Sequence, residues 1–551
     1  MNEGLGLLTL LAALPLVGSI VVAALPRGNP ALAKQVALGV SLAALALAGV
    51  IAVQYDSGAS GYQMVEQVDW IPALGVSWTL GLDGLGLVLV LLSAVLVPVV
   101  LIAGWNERAD FGEAGAVAQR AQALVGASRS GSSGPAAAVG EPSSEEAAAQ
   151  SEGSVKGYLA LILATQALMF GVFLAIDVFL FYVFFEAILI PVYFMIGRYG
   201  TGQRAYAAVK FLIYSLVGGL LMLAALAGLW AVSRSAGGPT FDVRALSGMQ
   251  ISETTQAWLF LGFFIAFAIK APLVPVHTWL PDAAGSARPT TAVLLIGVLD
   301  KIGTFGMMRL CLPLFPDAAQ RFAPVIIAIS VVSIIYGALL AIGQTDMRRL
   351  FAYVSISHFG FITLGIFVFT SQGLSGATFY MLGHGLSTAL LFCVAGYLMS
   401  RRGSAQIADY GGVNQVAPVL SGMFLFAGLT ALALPGLSTF ISEFLVLVGT
   451  FTRYPWVAVV ATLGIILAAV YVLWLYQRTM TGPATDEVRG MADLNGREIL
   501  AIAPVIALVI VLGLYPKPAF DVINPMVDQL QQQVGATDPV PSVPLSEGAS
   551  R

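Results

Sequence analysis

The chain has 551 residues, of which 58% are hydrophobic and only 10% are charged, and its formal net charge is −4. A soluble domain is usually about 25% charged, so the composition excludes an ordinary water-soluble protein and indicates a chain surrounded by lipid. The small net charge gives no sign of nucleic-acid binding. The two cysteines lie in different apolar segments without metal-ligand spacing, which argues against a disulfide framework and a metal site.

Apolar segments of about 20 residues, the length that crosses a bilayer, recur from one end of the chain to the other. The first belongs to this series and no small-residue cleavage site stands out, so we interpret it as a retained helix. The pattern predicts an all-α polytopic membrane protein with about fourteen transmembrane helices. They are expected near residues 5–26, 32–54, 82–104, 157–175, 177–197, 206–232, 256–281, 290–313, 322–343, 349–370, 375–399, 416–448, 455–477 and 498–516.

Composition divides the chain into five regions. Residues 106–156 are rich in Gly, Ala, Ser and Glu and cannot bury a core, so we expect a disordered cytoplasmic insert there. The other predicted regions are 1–105 with helices 1–3, 157–314 with helices 4–8, 321–478 with helices 9–13, and 479–551 with helix 14 and a flexible periplasmic tail.

Proline interrupts two of the predicted helices. The seventh contains Pro272 and Pro275 and carries Lys270, and the twelfth contains Pro435 and carries Glu443. We therefore expect helices 7 and 12 to be broken. Because a five-helix unit must invert when it is repeated along the chain, helices 4–8 and 9–13 are predicted to form two inverted repeats.

Basic residues gather in alternate loops, for example Arg348, Arg349, Arg401 and Arg402. Loops of this kind are usually cytoplasmic, which puts the N-terminus outside. An even number of helices returns the C-terminus to the same side. We predict a multi-pass protein of the bacterial inner (cell) membrane with both termini on the periplasmic side.

Ionisable side chains inside apolar segments are the strongest functional signal. A lysine at membrane depth costs roughly 3 kcal/mol or more on insertion scales, so its default interpretation is functional. All three histidines of the chain fall in apolar segments. The candidate residues are Glu186, Lys270, His277, Lys301, His358, His384 and Glu443.

Each candidate has a structural alternative. A buried histidine is often a hydrogen-bonded core residue, and a lone glutamate could pair with a lysine for packing alone. Lys210 is a secondary candidate, because it lies less deep and its ammonium group could extend to the membrane surface. Asp300 would point to a different face from its neighbour Lys301, and Asp83 at a helix entry is expected to be an N-cap.

Taken together, the candidates favour proton handling, because packing contacts between membrane helices normally use Ser, Thr and Asn. Desolvation lowers the pKa of a lysine, and an adjacent carboxylate raises it again. If Glu186 pairs with Lys270, withdrawal of Glu186 would release the lysine proton. Histidines titrate near neutrality and suit the steps between.

Five segments resemble the antiporter-like subunits of proton-pumping NADH:quinone oxidoreductase, respiratory complex I. They are FLAIDVFLFYVFFEAILIPVYFMIGRYG, AAVKFLIYSLVGG, FAIKAPLVPVHTWLPDA, QTDMRRLFAYVSISHFGFI and LPGLSTFISEFLVL. Two branches of that family, the L-like and N-like subunits, usually carry lysine at the position of Glu443. The glutamate therefore resembles the remaining branch.

The resemblance implies roles for the matching residues. Glu186 and Lys270 are similar to the regulatory ion pair of the family, and Lys301 to its central relay. His358 and His384 would continue the polar path from Lys301. The resemblance thus implies a chain of proton-exchanging groups through the protein.

At the two ends of this path, Glu443 is similar to the terminal exchange residue and His277 to a histidine beside the broken helix. The resemblance implies no cofactor in this chain, with FMN, iron–sulfur clusters and quinone in partner subunits. The chain offers no dinucleotide glycine motif and no cysteine cluster to hold one. The expected partners are the lipid bilayer and other complex I membrane-arm subunits, especially the L-like and N-like ones.

Two other functions stay open from the residues. One is a subunit of a multi-subunit Na⁺/H⁺ antiporter, because such subunits share the HTWLPDA motif and the buried lysines. The other is a polytopic membrane transferase. A transferase needs catalytic groups on a sizeable aqueous loop and would leave the buried charges without a role.

Overall fold

Long helices form most of the protein, because backbone polar groups in a bilayer must find their partners within the chain. The computed structural model describes residues 6–26, 29–106 and 144–540, with side chains from residue 155 onward in the last range. The helices are α1 (Leu7–Ala24), α2 (Pro30–Gln54), α3 (Gly84–Ala103), α4 (Ser144–Leu174), α5 (Val178–Gly197), α6 (Arg204–Ser235), α7a (Glu253–Lys270), α7b (Trp279–Ser286), α8 (Pro289–Leu314), α9 (Pro316–Ile342), α10 (Met347–Phe367), α11 (Ser371–Arg402), α12a (Pro418–Ala431), α12b (Ser438–Arg453), α13 (Pro455–Met480), α14 (Gly496–Leu514) and α15 (Lys517–Val534).

The membrane spans follow the predicted pattern. Among the described residues, 12 helices are long and apolar enough to cross a membrane. Each of these helices coincides with one of the predicted segments. The two remaining predicted segments are the seventh and the twelfth, and each of them forms two shorter helices, α7a with α7b and α12a with α12b. The polytopic α-helical fold and the two broken helices are therefore confirmed. The inverted relation between helices 4–8 and 9–13 stays a prediction.

The break in α7 starts at Lys270, the last residue of α7a. Neighbouring side chains bind the backbone groups that the break frees. The indole N–H of Trp279 donates to the carbonyl of Ile269 at 2.9 Å, and the Val274 N–H donates to the hydroxyl of Ser333 on α9 at 3.0 Å. Lys270 therefore lies at the end of a half-helix whose break is fixed by hydrogen bonds.

The break in α12 separates α12a from α12b. The connection passes through Gly436 at φ +93°, a left-handed conformation that favours glycine. Across the break, the hydroxyl of Thr439 donates to the carbonyl of Thr430 at 2.5 Å. Glu443 follows on the second turn of α12b and is buried.

Three helices, α8, α10 and α11, form the interior. Nearly all of their residues are buried, whereas only about a third of the residues of α1, α13 and α14 are buried. Two π-helical turns, Leu295–Leu299 and Met307–Cys311, flank the part of α8 that starts at Lys301. Such turns occur frequently at functional sites. Lys301 thus lies on an irregular helix that is enclosed on all sides.

A hairpin between α2 and α3 was not predicted. Its strands, β1 (Gln63–Ile71) and β2 (Val76–Leu82), pair antiparallel. The buried carboxylate of Glu66 accepts hydrogen bonds from the backbone N–H groups of Leu8 at 2.7 Å and Thr9 at 3.0 Å. These bonds satisfy free N–H groups at the start of α1 and hold the hairpin against that helix.

The region after α14 contains a further helix, α15, where only a flexible tail was expected. Its apolar residues Ile523, Val527 and Leu530 are buried, and it packs against α3 and α11. The segment has the length of a membrane span but is too polar to resemble one, so the apolar pattern of the sequence does not reveal it. Residues 541–551 of the predicted tail lie outside the described residues.

Most of the predicted insert, residues 107–143, also lies outside the described residues. Helix α4 begins at Ser144, inside the region for which disorder was expected. The first residues of this helix are rich in Glu and Ala, which have high helix propensity. The compositional boundary at residue 156 therefore does not coincide with the start of the helix.

Candidate functional site

The centre of the site is a contact between Lys301 on α8 and His384 on α11. Both side chains are fully buried, and Lys301 Nζ lies 2.8 Å from His384 Nδ1. Lys301 Nζ also donates to the carbonyl of Ile296 in the first π-turn. On the other side of the ring, His384 Nε2 lies 2.8 Å from the Ser355 hydroxyl and 3.2 Å from the Thr388 hydroxyl. The lysine and the histidine are therefore joined directly in the protein interior.

The path continues from His384 towards α12b. The ring of His358 lies 5.2 Å from that of His384 and 5.6 Å from that of Tyr380, measured between centroids. The hydroxyl of Tyr380 donates to a carboxylate oxygen of Glu443. Four helices thus contribute to one row of side chains: α8, α10, α11 and α12b.

Both nitrogens of His358 are buried and make no hydrogen bond of good geometry among the described residues, although the ring approaches the backbone of Ala431. Buried polar atoms are normally satisfied by protein or by ordered water. The two nitrogens are therefore positions where water molecules can complete the row between His384 and Glu443.

Tyr380 was missed by the sequence analysis, which considered only Lys, His, Asp and Glu. A signal was available, because Tyr380 precedes His384 by four residues on α11. Residues at this spacing lie on the same face of a helix. A tyrosine hydroxyl can both donate and accept a hydrogen bond, so it can form part of a proton path without titrating.

Lys270 and Glu186 are neighbours that interact through their charges. Lys270 Nζ lies over the rings of Phe185 at 5.3 Å and Phe211 at 5.5 Å. It interacts electrostatically with the partly buried carboxylate of Glu186. No direct ion pair joins the two, and Glu186 Oε1 is buried without a hydrogen-bond partner. The expected pairing is thus present as a charge interaction across a gap.

Gly219 on α6 makes room for Glu186. A Cβ atom on Gly219 would lie 1.6 Å from Glu186 Oε1. No side chain larger than hydrogen fits there unless the glutamate moves. The position of the carboxylate therefore depends on the absence of a side chain at residue 219.

The secondary candidate Lys210 has a different partner. Its Nζ lies 2.7 Å from Asp282 Oδ2, and Arg349 Nη1 lies 2.7 Å from Asp282 Oδ1. All three side chains are partly exposed, so this cluster lies nearer the surface than Lys270. The lysine therefore belongs to a surface ion cluster made of Lys210, Asp282 and Arg349.

His277 lies in the break of α7 and is buried. Its ring contacts Tyr336 at 5.1 Å between centroids. The ring nitrogens make no hydrogen bond of good geometry among the described residues, although the ring approaches the backbone of Pro275. It interacts electrostatically with Lys210. The structure thus brings His277 towards the surface ion cluster and not into the row that starts at Lys301.

Asp83 caps α3 as predicted. Its Oδ1 accepts from the Gly86 N–H at 2.7 Å. It also binds Arg309 Nη2 at 2.6 Å, in an ion pair that is almost completely buried. This second contact joins α3 to α8 and could not be read from the spacing of the residues.

Asp300, next to Lys301, is 1% exposed, and neither of its oxygens has a hydrogen-bond partner in the described part of the chain. It interacts electrostatically with both Lys301 and Lys270. Across the described ranges, no group of three or more His, Cys, Asp or Glu side chains is arranged to hold a metal ion. The ionisable and hydroxyl groups gathered at the site are those of lysine, histidine, tyrosine and carboxylate.

Comparisons with known proteins identify the family of this chain. Residues 175–468 match a family described as NADH:quinone oxidoreductase/Mrp antiporter, transmembrane. NADH-quinone oxidoreductase subunit M of Mycobacterium tuberculosis is 50% identical over 99% of this chain and 98% of its own length.

Two solved structures have a similar fold. A chain of respiratory complex I from Thermus thermophilus with bound NADH has a TM-score of 0.81 at 30% identity, covering 96% of this chain and 100% of that one. A chain of the Mrp complex from Dietzia sp. has a TM-score of 0.77 at 22% identity, covering 96% and 98%. At that identity the second similarity concerns the fold alone.

Proposed function

The chain belongs to the subunit M branch of the antiporter-like membrane subunits of NADH:quinone oxidoreductase, and we propose that it moves protons along its row of buried Lys, His, Tyr and Glu side chains. It is a membrane subunit of a translocase whose redox chemistry takes place in partner subunits. Its own contribution is a path of groups that can accept and release protons inside the membrane.

One observation supports this proposal above all others. The row Lys301–His384–His358–Tyr380–Glu443 runs through buried residues that are otherwise mostly apolar. Burying ionisable groups without a use is costly, and simple packing contacts would not require several titratable groups in sequence. A proton can move along such a row when water bridges the gap beside His358.

Lys270 and Glu186 provide the means of control. They interact across a gap, so a small movement of Glu186 changes the charge environment of Lys270 without breaking a tight ion pair. We propose that such movements, driven from neighbouring subunits, alternately favour protonation and deprotonation of Lys270. Lys210 and His277, beside the break of α7, are proposed to lie on the route between Lys270 and the surface.

The remaining parts of the proposal concern the surroundings of the subunit. FMN, iron–sulfur clusters and quinone are proposed to be in partner subunits, and the L-like and N-like subunits are proposed as neighbours. The protein is proposed to lie in the bacterial inner membrane with both termini on the periplasmic side. Regions 157–314 and 321–478 are proposed as two inverted repeats.

The experiment compares Lys270→Ala and Lys301→Ala in the intact complex, reconstituted in vesicles. NADH-driven proton uptake is measured alongside NADH oxidation. We expect both variants to lower proton uptake strongly, and Lys517→Ala, which removes an exposed lysine of α15, to leave it unchanged. Proton uptake at the wild-type ratio in Lys270→Ala and Lys301→Ala would contradict the proposal.

The alternative function is Na⁺/H⁺ exchange. The description of the matching family includes the Mrp antiporter, and the Dietzia Mrp chain has a similar fold. Purification in mild detergent separates the two. A complex I subunit brings redox proteins with it, whereas an antiporter subunit exchanges Na⁺ for H⁺ in vesicles to which no NADH is added.

A further inference from the structure

We infer that Asp300 carries protons between Lys270 and Lys301. The inference rests on the proposed function, since it adds a step to the same path. It answers a question that the row beginning at Lys301 leaves open, namely how a proton from Lys270 reaches Lys301. Asp300 is the buried carboxylate that interacts with both lysines.

The geometry of α8 directs Asp300 and Lys301 to different neighbours. Successive residues of a helix are about 100° apart around its axis, so these two side chains leave α8 in different directions. Lys301 meets His384 on α11. The face of Asp300 is identified by Gly303, three residues further on and therefore on the same side of the helix.

Gly303 packs directly against the break of α7. A Cβ atom on Gly303 would lie 2.5 Å from the backbone nitrogen of Ala271 and 2.5 Å from the carbonyl oxygen of Phe267. Ala271 immediately follows Lys270. The side of α8 that carries Asp300 therefore faces the end of α7a, where Lys270 is located.

The carboxylate oxygens of Asp300 also have the surroundings expected of a group that carries protons. A group with only a structural role is expected to be hydrogen-bonded when buried, yet both oxygens of Asp300 lack a partner among the described residues. The π-turn Leu295–Leu299 ends directly before it, and the Asp300 N–H donates to the Leu295 carbonyl at 3.1 Å. The oxygens are thus left available for a proton or for water.

The proposed step consists of two proton transfers, from Lys270 to Asp300 and then from Asp300 to Lys301. In the first, an N–H bond of the Lys270 ammonium breaks and an O–H bond forms on Asp300, which leaves a neutral amine and a carboxylic acid. In the second, the O–H bond breaks and an N–H bond forms on the neutral amine of Lys301. Asp300 returns to a carboxylate, and Lys301 passes its proton to His384.

The test uses the intact complex in vesicles with the variants Asp300→Asn, Asp300→Glu and Lys270→Ala. Asp528→Asn serves as a control, because it makes the same chemical change at an exposed position of α15. Loss of a proton-transferring group typically costs about 100-fold or more in rate, so we expect NADH-driven proton uptake to fall at least about tenfold in Asp300→Asn. Asp300→Glu should restore most of it, and the control should match the wild type.

The outcomes separate the two proposals. Wild-type uptake in Asp300→Asn together with a defect in Lys270→Ala overturns the role of Asp300 and leaves the proposed function standing. Wild-type uptake in Lys270→Ala defeats the proposed function itself. A defect in Asp300→Asn that Asp300→Glu does not relieve makes Asp300 a structural group and also overturns the inference.

An infrared difference spectrum on addition of NADH provides a second readout. A carrier gives a carboxylic-acid band that disappears in Asp300→Asn and changes position in Asp300→Glu. If Asp300→Asn does not assemble, the infrared spectrum of Asp300→Glu is compared with that of the wild type. A carboxylic-acid band at the wild-type position in Asp300→Glu, or no such band in either protein, contradicts proton transfer through Asp300.

Discussion

The hydroxyl of Tyr380 donates a hydrogen bond to the carboxylate of Glu443 and so joins α11 to the second half of the broken helix α12. The same ring lies beside His358. Tyr380 is thus the connection between the histidines of the interior and the acid near the break.

Removing this hydroxyl tests the connection. Tyr380→Phe keeps the ring that packs against His358 but leaves Glu443 without its donor. Removal of a proton-transferring group typically costs about 100-fold or more, and a bridging group should have at least about a tenfold effect on NADH-driven proton uptake. Tyr515→Phe, at an exposed tyrosine, is the control. Equal uptake in the two variants would place the hydroxyl outside the path.

A second prediction concerns the space that Gly219 leaves for Glu186. In Gly219→Ala the new methyl group would lie 1.6 Å from Glu186 Oε1, so the carboxylate must move. We expect assembly to be retained and proton uptake to fall. Gly39→Ala on α2 is a matched control, since a Cβ atom there meets nothing within 4 Å. The prediction fails if both variants take up protons at the same rate.

A third prediction addresses the buried ion pair of Asp83 and Arg309. Asparagine is as good an N-cap as aspartate, so Asp83→Asn keeps the cap of α3 and removes only the charge. Leaving a buried charge unpaired costs about 3–5 kcal/mol, and we expect the melting temperature of the subunit in the purified complex to fall by several degrees.

Two further variants test whether the unpaired charge of Arg309 explains this loss of stability. Replacing both members of a buried ion pair by uncharged residues is often close to neutral, so Asp83→Asn combined with Arg309→Met should recover much of the lost stability. Asp521→Asn breaks the exposed pair with Lys517 and should change stability by less than about 0.5 kcal/mol. A stable Asp83→Asn protein would show that the charge of Asp83 is not needed.

A fourth prediction concerns pH and the loop between α13 and α14. Partial burial raises the pKa of Asp493, but hydrogen bonds from the N–H groups of Val419, Leu420 and Leu494 outweigh it, and the net pKa lies below its usual value. An acid with a lowered pKa in the folded state stabilises the protein above its unfolded pKa of about 4 and loses this contribution as the pH falls.

The measurement is thermal unfolding of the complex between about pH 6 and about pH 3, on both sides of the usual aspartate pKa. The wild type should lose stability on acidification to a greater extent than Asp493→Asn, because the amide does not titrate. Other carboxylates contribute equally to both proteins, so the difference between the two curves isolates Asp493. Parallel curves would contradict the predicted contribution.

Much of the fold was readable from the sequence because the bilayer imposes simple requirements. A segment must be long and apolar to cross it, and a proline must break the helical hydrogen bonding. These local requirements located the membrane helices and the breaks near Lys270 and Glu443. They did not reveal the β1–β2 hairpin, which is held against α1, or α15, which packs against α3 and α11.

The candidate site was predicted as a set of residues but not as an arrangement. The free-energy cost of burying an ionisable side chain was enough to identify Lys301, His384 and His358, because such a side chain is unusual anywhere in an apolar segment. Tyr380 was not identified, because a tyrosine in an apolar segment is common and does not stand out in the sequence. Asp300 was set aside on spacing alone, because its relation to Lys270 depends on how closely α8 approaches α7 at Gly303.

The sequence by itself determined that Lys270, Lys301, His358, His384 and Glu443 are buried, since hydropathy and length act on each segment separately. The tertiary structure alone decided which of these groups meet. Lys301 contacts His384 because α8 and α11 pack side by side, and the ammonium group of Lys270 lies over the rings of Phe185 and Phe211 without forming a direct ion pair with Glu186. The reason is that proton transfer depends on distances of a few ångströms between helices, and such distances are set by packing between segments far apart in the chain.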